Sequence, residues 1–149
     1  MKNNKKISYG ESNNLNLKVF VSLSRATQVV QRRSINIFKE GGLTGAQFAV
    51  LEVLYHKGDL RISEIIEKVF STSGNMTVVI NNLEKEQLVE KYIDPEDKRA
   101  TLIRITDDGK KKIEEIFPVH LRDLEEHFSS LTTEEKQLLR MLLKKLGTK

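Results

Sequence analysis

Cysteine is absent from all 149 residues, which removes disulfide frameworks, thiolate zinc sites and thiol redox sensing from the chemistries open to this chain. Also missing is any run of about 18 apolar residues, the length a helix needs to cross a bilayer. The N-terminal MKNNKKISYGESNN is polar and lacks an apolar signal core, so neither membrane insertion nor Sec secretion is expected, and the protein reads as cytoplasmic. The sequence contains no glycine-rich phosphate loop, no GxSxG and no metalloprotease motif, so it is not expected to be an enzyme. Of the histidines His56, His120 and His127, none forms an HxxxH pair. The last two stand two helical turns apart, too far for one ion to bridge, so no metal site and no cofactor is expected.

What is present suits one domain with a modest core, since 38% of the residues are hydrophobic, and self-association would help so small a core. The net charge is +4, which permits a nucleic-acid partner without requiring one. Its placement says more. Lys and Arg against Asp and Glu number 8 against 1 in residues 1–39, 3 against 5 in 40–70, 8 against 8 in 71–112 and 6 against 7 in 113–149. The surplus is N-terminal, so any DNA reading in the middle of the chain rests on positioned groups and not on a broad basic field.

Residues 1–14, rich in Asn, Lys and Ser, read as a flexible tail without structure. From Leu15 to about Lys39 apolar residues recur at helical spacing, with Phe20, Leu23, Val30 and Ile37 on one side. Gly41-Gly42 ends that helix, Thr44 to Gln47 is a capping box for the next, and Gly58 closes it. A brief extended segment at Leu60 to Ile62 precedes a helix capped by Ser63. Ser71-Thr72-Ser73 then turns the chain into a second helix that runs to about Glu86. In this second helix Met76, Val79, Ile80 and Leu83 form the inward stripe, which turns Asn75, Val78, Asn81 and Asn82 outward. Asn pairs with adenine at two points, and Thr or Val methyls meet the thymine methyl. Such polar faces are also common on plainly solvated helices.

The next segment separates these alternatives. Leu88 to Ile93 and Thr101 to Ile105 read as antiparallel strands around a turn at Asp94 to Arg99. Helix, turn, helix and hairpin in that order make a winged helix-turn-helix. Arg99 at the hairpin tip, with Lys98 beside it, is the candidate for the minor groove, where negative potential favours a guanidinium. Asp97 is either its support or an ordinary turn acid. Thr106 with Asp107 and Asp108 starts a long helix that contains Pro118, which should bend it. Thr132 to Glu135 caps a last helix bearing Leu138, Leu139, Leu142, Leu143 and Leu146. The terminal helices are most economically explained by a dimer in which they interlock.

The stretch SGNMTVVINNLEKEQLV followed by DPEDKRATLIRITDDG resembles the multiple-antibiotic-resistance regulator (MarR) family of bacterial winged-helix transcription factors, over roughly Leu15 to Leu146. The resemblance implies a mainly α fold with a small β-wing, in which residues 15–149 form one domain. Within it, 44–109 would be the winged-helix DNA-binding lobe, and 15–39 and 110–149 the dimerisation helices. It implies a homodimer on a pseudo-palindromic double-stranded operator, with contacts from Ser73, Asn75, Thr77, Val78 and Asn81, from Lys98 and Arg99 in the wing, and with Asp97 in support. It further implies a repressor released by a small phenolic or amphipathic ligand. No residue is assigned to that ligand, because Phe20, Tyr55 and His56, which could border such a pocket, are more often plain packing or surface. Gln87 departs from the family by standing where many members have glycine, so it must turn left-handed or end the helix differently. Lys91-Tyr92 only partly matches the usual basic position. The alternative function is a winged-helix adaptor for proteins, without operator binding.

Overall fold

The computed structural model describes residues 6–69 and 73–147, and only the backbone of residues 73 and 74. The elements are α1 (Glu11–Glu40), α2 (Gly45–Lys57), β1 (Leu60–Arg61), α3 (Ile62–Val69), α4 (Ser73–Lys85), β2 (Val89–Asp94), β3 (Asp97–Ile105), α5 (Asp107–Phe128) and α6 (Thr133–Gly147). The chain forms two units, Met1–Arg33 and Ser34–Lys149.

In the first unit α1 begins at Glu11, so residues 11–14 belong to the helix and not to a tail. Local side-chain bonds set this start. The Asn14 amide accepts from the Tyr9 backbone N–H at 3.1 Å and donates to Ser8 Oγ at 2.9 Å, which ties the segment before the helix to its first turn. Gly10, at φ 91, makes the bend into the helix. Leu15, Val19, Phe20 and Val29 on α1 are exposed in the single chain.

The second unit holds the core. Leu51 and Leu54 of α2, Ile65 of α3, Met76, Ile80 and Leu83 of α4, Ile103 of β3 and Ile113 of α5 are almost wholly buried. The strands form one antiparallel sheet in the order β1-β3-β2. Both sequence-predicted capping boxes are present. Thr44 and Gln47 exchange side-chain-to-backbone bonds at 3.0 and 3.1 Å, as do Thr132 and Glu135. Ser63 is not a cap: α3 starts at Ile62 directly from β1, because pairing of Arg61 with Leu102 holds the chain extended up to that point. Pro118 lies inside α5 without ending it. The apolar stripe of α6 is exposed at Leu138, Leu142 and Leu146, and a groove between α5 and α6 is lined by Leu124, Phe128, Leu131, Leu139 and Leu143.

The hinge between α4 and the sheet is a left-handed cap. Leu88 N–H donates to Leu83 C=O at 2.9 Å and Gln87 N–H to Glu84 C=O at 3.0 Å, the paired bonds of a Schellman motif. Gln87 occupies its left-handed position at φ 63. At once Thr106 joins in. Its Oγ1 donates to the Gln87 carbonyl at 2.7 Å and accepts from Gly109 N–H at 3.1 Å, while its own N–H donates to Leu88 C=O at 3.1 Å. A Cβ on Gly109 would stand 2.2 Å from that Leu88 oxygen. Only glycine fits there.

Two substitutions test this hinge by denaturant unfolding. Gln87→Gly relieves a left-handed conformation that costs a side-chain-bearing residue about 1 kcal/mol, and should stabilise the protein by about that amount. Gly109→Ala should destabilise it by roughly 3 kcal/mol, because the obstructing atom is backbone and cannot rotate away. Equal stability of Gly109→Ala and the parent protein would show that the approach of α5 to Leu88 is not constrained.

Candidate nucleic-acid interface

Helix α4 buries Met76, Val79, Ile80 and Leu83, and so presents Asn75, Thr77, Val78, Asn81 and Asn82 on its exposed side. Val78 is 57% exposed, an apolar surface of the kind that meets a thymine methyl. The predicted turn at Ser71 and Thr72, and the side chain of Ser73, lie outside the described residues. The geometry therefore brings together four of the five sequence-predicted helix contacts.

The wing differs in detail from the sequence expectation. Its turn is Pro95-Glu96, and β3 begins at Asp97, so Arg99 is not at the tip but in the strand. Ile93 pairs with Thr101 and Asp94 with Asp97. Lys98, Arg99 and Ala100 therefore stand between the partners of two consecutive β2 residues and form a bulge. Bulges re-aim side chains, and here the Arg99 side chain is 93% exposed. Asp97 Oδ1 accepts from the Arg99 backbone N–H at 3.1 Å and lies 3.4 Å from its Nε. A single carboxylate thus fixes both the backbone and the direction of the guanidinium.

Three groups to which the sequence reading gives no such role hold this arrangement. Arg61 on β1 donates to Asp94 Oδ2 at 2.6 and 3.2 Å, and its Nη1 is 3.9 Å from Asp97 Oδ2. The Glu96 backbone N–H also donates to Asp94, at 2.9 Å. These two partners, the amide foremost, hold the Asp94 carboxyl below its ordinary value of 3.8. Asp59 accepts from Tyr92 Oη and, at 3.1 Å, from Arg104 Nε, while Arg104 lies 4.4 Å over the Tyr92 ring. Lys91 on β2 reaches back to α4, where it donates to Asn81 Oδ1 and lies 3.6 Å from Glu84. Only the basic residue type at position 91 had marked it in the sequence.

Away from this face, α2 and α5 close around an aromatic cluster. Phe38 stacks on Phe48 at 3.8 Å, and Phe117 and His120 complete the group. His120 Nδ1 is buried without a hydrogen-bond partner. Burial lowers the pKa of this imidazole below 6.5, against the opposing pull of Asp123 and Glu52. Among the described residues no group of His and carboxylates is arranged to hold a metal ion.

A two-helix reading unit joined to a three-stranded wing defines a winged helix-turn-helix protein. Comparison with known proteins agrees. A family model described as the transcriptional regulator SarA/Rot matches residues 32–116. The HTH-type transcriptional regulator MhqR of Bacillus subtilis (strain 168) is 37% identical over 131 residues, 88% of this chain and 90% of that protein. The solved structure of Bordetella bronchiseptica BpsR, whose DNA binding is regulated by 6-hydroxynicotinic acid, is 25% identical with a TM-score of 0.71, covering 85% of this chain and 99% of that one. A MarR family protein from Bacillus stearothermophilus, also 25% identical, superposes with a TM-score of 0.68 over 93% and 96% of the two chains. This chain belongs to the MarR/SarA family of winged helix-turn-helix transcriptional regulators, which are not enzymes.

The state of His120 has a measurable consequence. Because its folded pKa lies below 6.5, the unfolded chain binds the proton more tightly, so stability falls as pH drops through 6.5 toward the folded value. His120→Gln should reduce the loss in Tm between pH 7 and pH 5.5. An unchanged pH profile in that variant would mean that the imidazole is not desolvated.

Proposed function

We propose that the protein is a homodimeric, sequence-specific DNA-binding repressor, released from its operator by a small ligand. The observation that carries this is Arg99, projected from a wing bulge and fixed by Asp97, beside a helix face of Asn75, Thr77, Val78 and Asn81. In this reading α4 enters the major groove, with Ser73 at its first turn, while Lys98 and Arg99 reach the flanking minor groove. The cytoplasm is where such a regulator acts, and among the described residues no helix is long and apolar enough to cross a membrane.

Homodimerisation is supported by the apolar side chains that a single chain leaves exposed, among them Leu15 and Phe20 on α1 and Leu138, Leu142 and Leu146 on α6. Burying one such side chain is worth about 1.5–3 kcal/mol, so a second copy that covers these stripes would be strongly held. Two recognition helices then meet two half-sites of a pseudo-palindrome. The effector class is a hydroxylated aromatic anion. BpsR supports this by the regulation of its DNA binding by 6-hydroxynicotinic acid. Such a ligand acts by favouring a dimer state whose helix spacing misfits the operator.

Fluorescence anisotropy with the gene's upstream intergenic duplex and a scrambled duplex, at two salt concentrations, tests the reading. The native duplex should bind in preference, more weakly at higher salt. Arg99→Ala should lose roughly tenfold in affinity and about one unit of salt slope. Addition of 6-hydroxynicotinic acid, but not of benzoate, should release the DNA. Equal weak binding to both duplexes, unchanged by Arg99→Ala, would favour the protein adaptor.

A further inference from the structure

We infer that Lys91 is a positioning residue for base specificity: by holding Asn81 Oδ1 toward the wing, it leaves Asn81 to act as a hydrogen-bond donor at the major groove and removes its two-point preference for adenine. The inference rests on the operator-binding reading.

The argument starts from what an ammonium offers. Lysine has three donors and no acceptor, so the atom of an Asn amide that faces it must be the carbonyl oxygen. Lys91 Nζ meets Asn81 at that oxygen. Glu84, one helical turn further along α4 on the same side, lies 3.6 Å from the same ammonium. The lysine is thus gripped between an acid and an amide, with its side chain 29% exposed. Freely rotating amides have no such preference, but this one is locked.

The lock matters because of how Asn reads bases. Two-point recognition of adenine needs Oδ1 to accept from N6–H while Nδ2 donates to N7, with both atoms facing the base edge. With Oδ1 engaged by the ammonium from β2, the acceptor of that two-point pairing is competed for, and the Nδ2 donor is the atom left to the base edge. A single donor finds two acceptors on guanine, N7 and O6, and one on thymine, O4; on adenine it finds only N7 beside the opposing N6 amino group, and it opposes the amino group of cytosine. Lys91 is therefore the residue by which the wing strand and the recognition helix share one specificity decision. A merely structural Lys91 would change affinity for all sequences alike.

Selection from a pool of duplexes with a randomised core, followed by sequencing, reads this out for the wild-type protein, Asn81→Ala, Lys91→Met and Lys91→Arg. Asn81→Ala identifies the position that Asn81 reads, as the one whose preference flattens. There the wild-type protein should enrich guanine or thymine over adenine. Lys91→Met should shift that position toward adenine by at least about fivefold, leaving the others in place, and Lys91→Arg should restore the original choice. A wild-type demand for adenine at that position, or an unaltered preference in Lys91→Met, overturns the inference while operator binding stands. No enrichment of any sequence by the wild-type protein overturns the operator reading itself, and this inference with it.

Discussion

The oxygen of Leu88 is the point on which the DNA-reading lobe turns. It accepts from Thr106 N–H at 3.1 Å, and it stands where a Cβ on Gly109 would have to go. Through it the end of α4, the start of β2, the end of β3 and the first turn of α5 are held within a few ångströms of one another. The Thr106 hydroxyl adds a second link, since it donates to Gln87 and accepts from Gly109. A single threonine therefore caps α5 and ties off α4. The angle between recognition helix and wing depends on this junction, because any slack would be amplified along the hairpin. The left-handed Gln87 stores strain at the same place, which a structure tolerates where surrounding bonds over-determine the conformation.

What could be read from the sequence was what short-range chemistry decides. The caps at Thr44, Thr106 and Thr132 each involve partners three residues apart, and the inward stripe of α4 follows from helical spacing alone. The outward face of the candidate site was legible for the same reason. The wing turn was misplaced because alternation cannot show a bulge: the turn falls at Pro95-Glu96 and Arg99 stands in the strand. The start of α1 was missed because the amide of Asn14 reaches back to Ser8 and Tyr9, which composition read as a tail. Arg61 with Asp94 and Asp59 with Arg104 are separated by 33 and 45 residues. No local pattern announces such pairs, because only the β1-β3-β2 order brings them together.

These long-range pairs also explain how a lobe with balanced charge can favour an anionic partner. The stretch 71–112 carries as many acids as bases, which on a uniform surface would give no attraction for phosphate. Four of those eight acids, however, Glu84, Glu90, Asp94 and Asp97, are engaged within the lobe. Asp94 is held by Arg61, Asp59 by Tyr92 and Arg104, Glu90 lies 3.7 Å from Arg104, and Glu84 lies beside Lys91. Asp97 is shared between Arg61 and Arg99, and the arginine it leaves most exposed is the one on the bulge.

The sharing at Asp97 sets the character of that arginine. In the proposed minor-groove role of Arg99, an acid paired only with it would neutralise the charge offered to DNA, and an arginine with no partner would lose side-chain entropy on every encounter. Arg61 draws part of the Asp97 charge toward β1, while the other oxygen keeps the Arg99 backbone and Nε in place. The guanidinium is thereby oriented without being buried, and its remaining N–H donors face solvent with the side chain 93% exposed. Orientation in advance lowers the cost of ordering at the interface. The position of the wing bulge, the pairing of β1 and the sharing of one carboxylate are thus a single device for presenting a pre-organised cation on a lobe that has no net charge to spare.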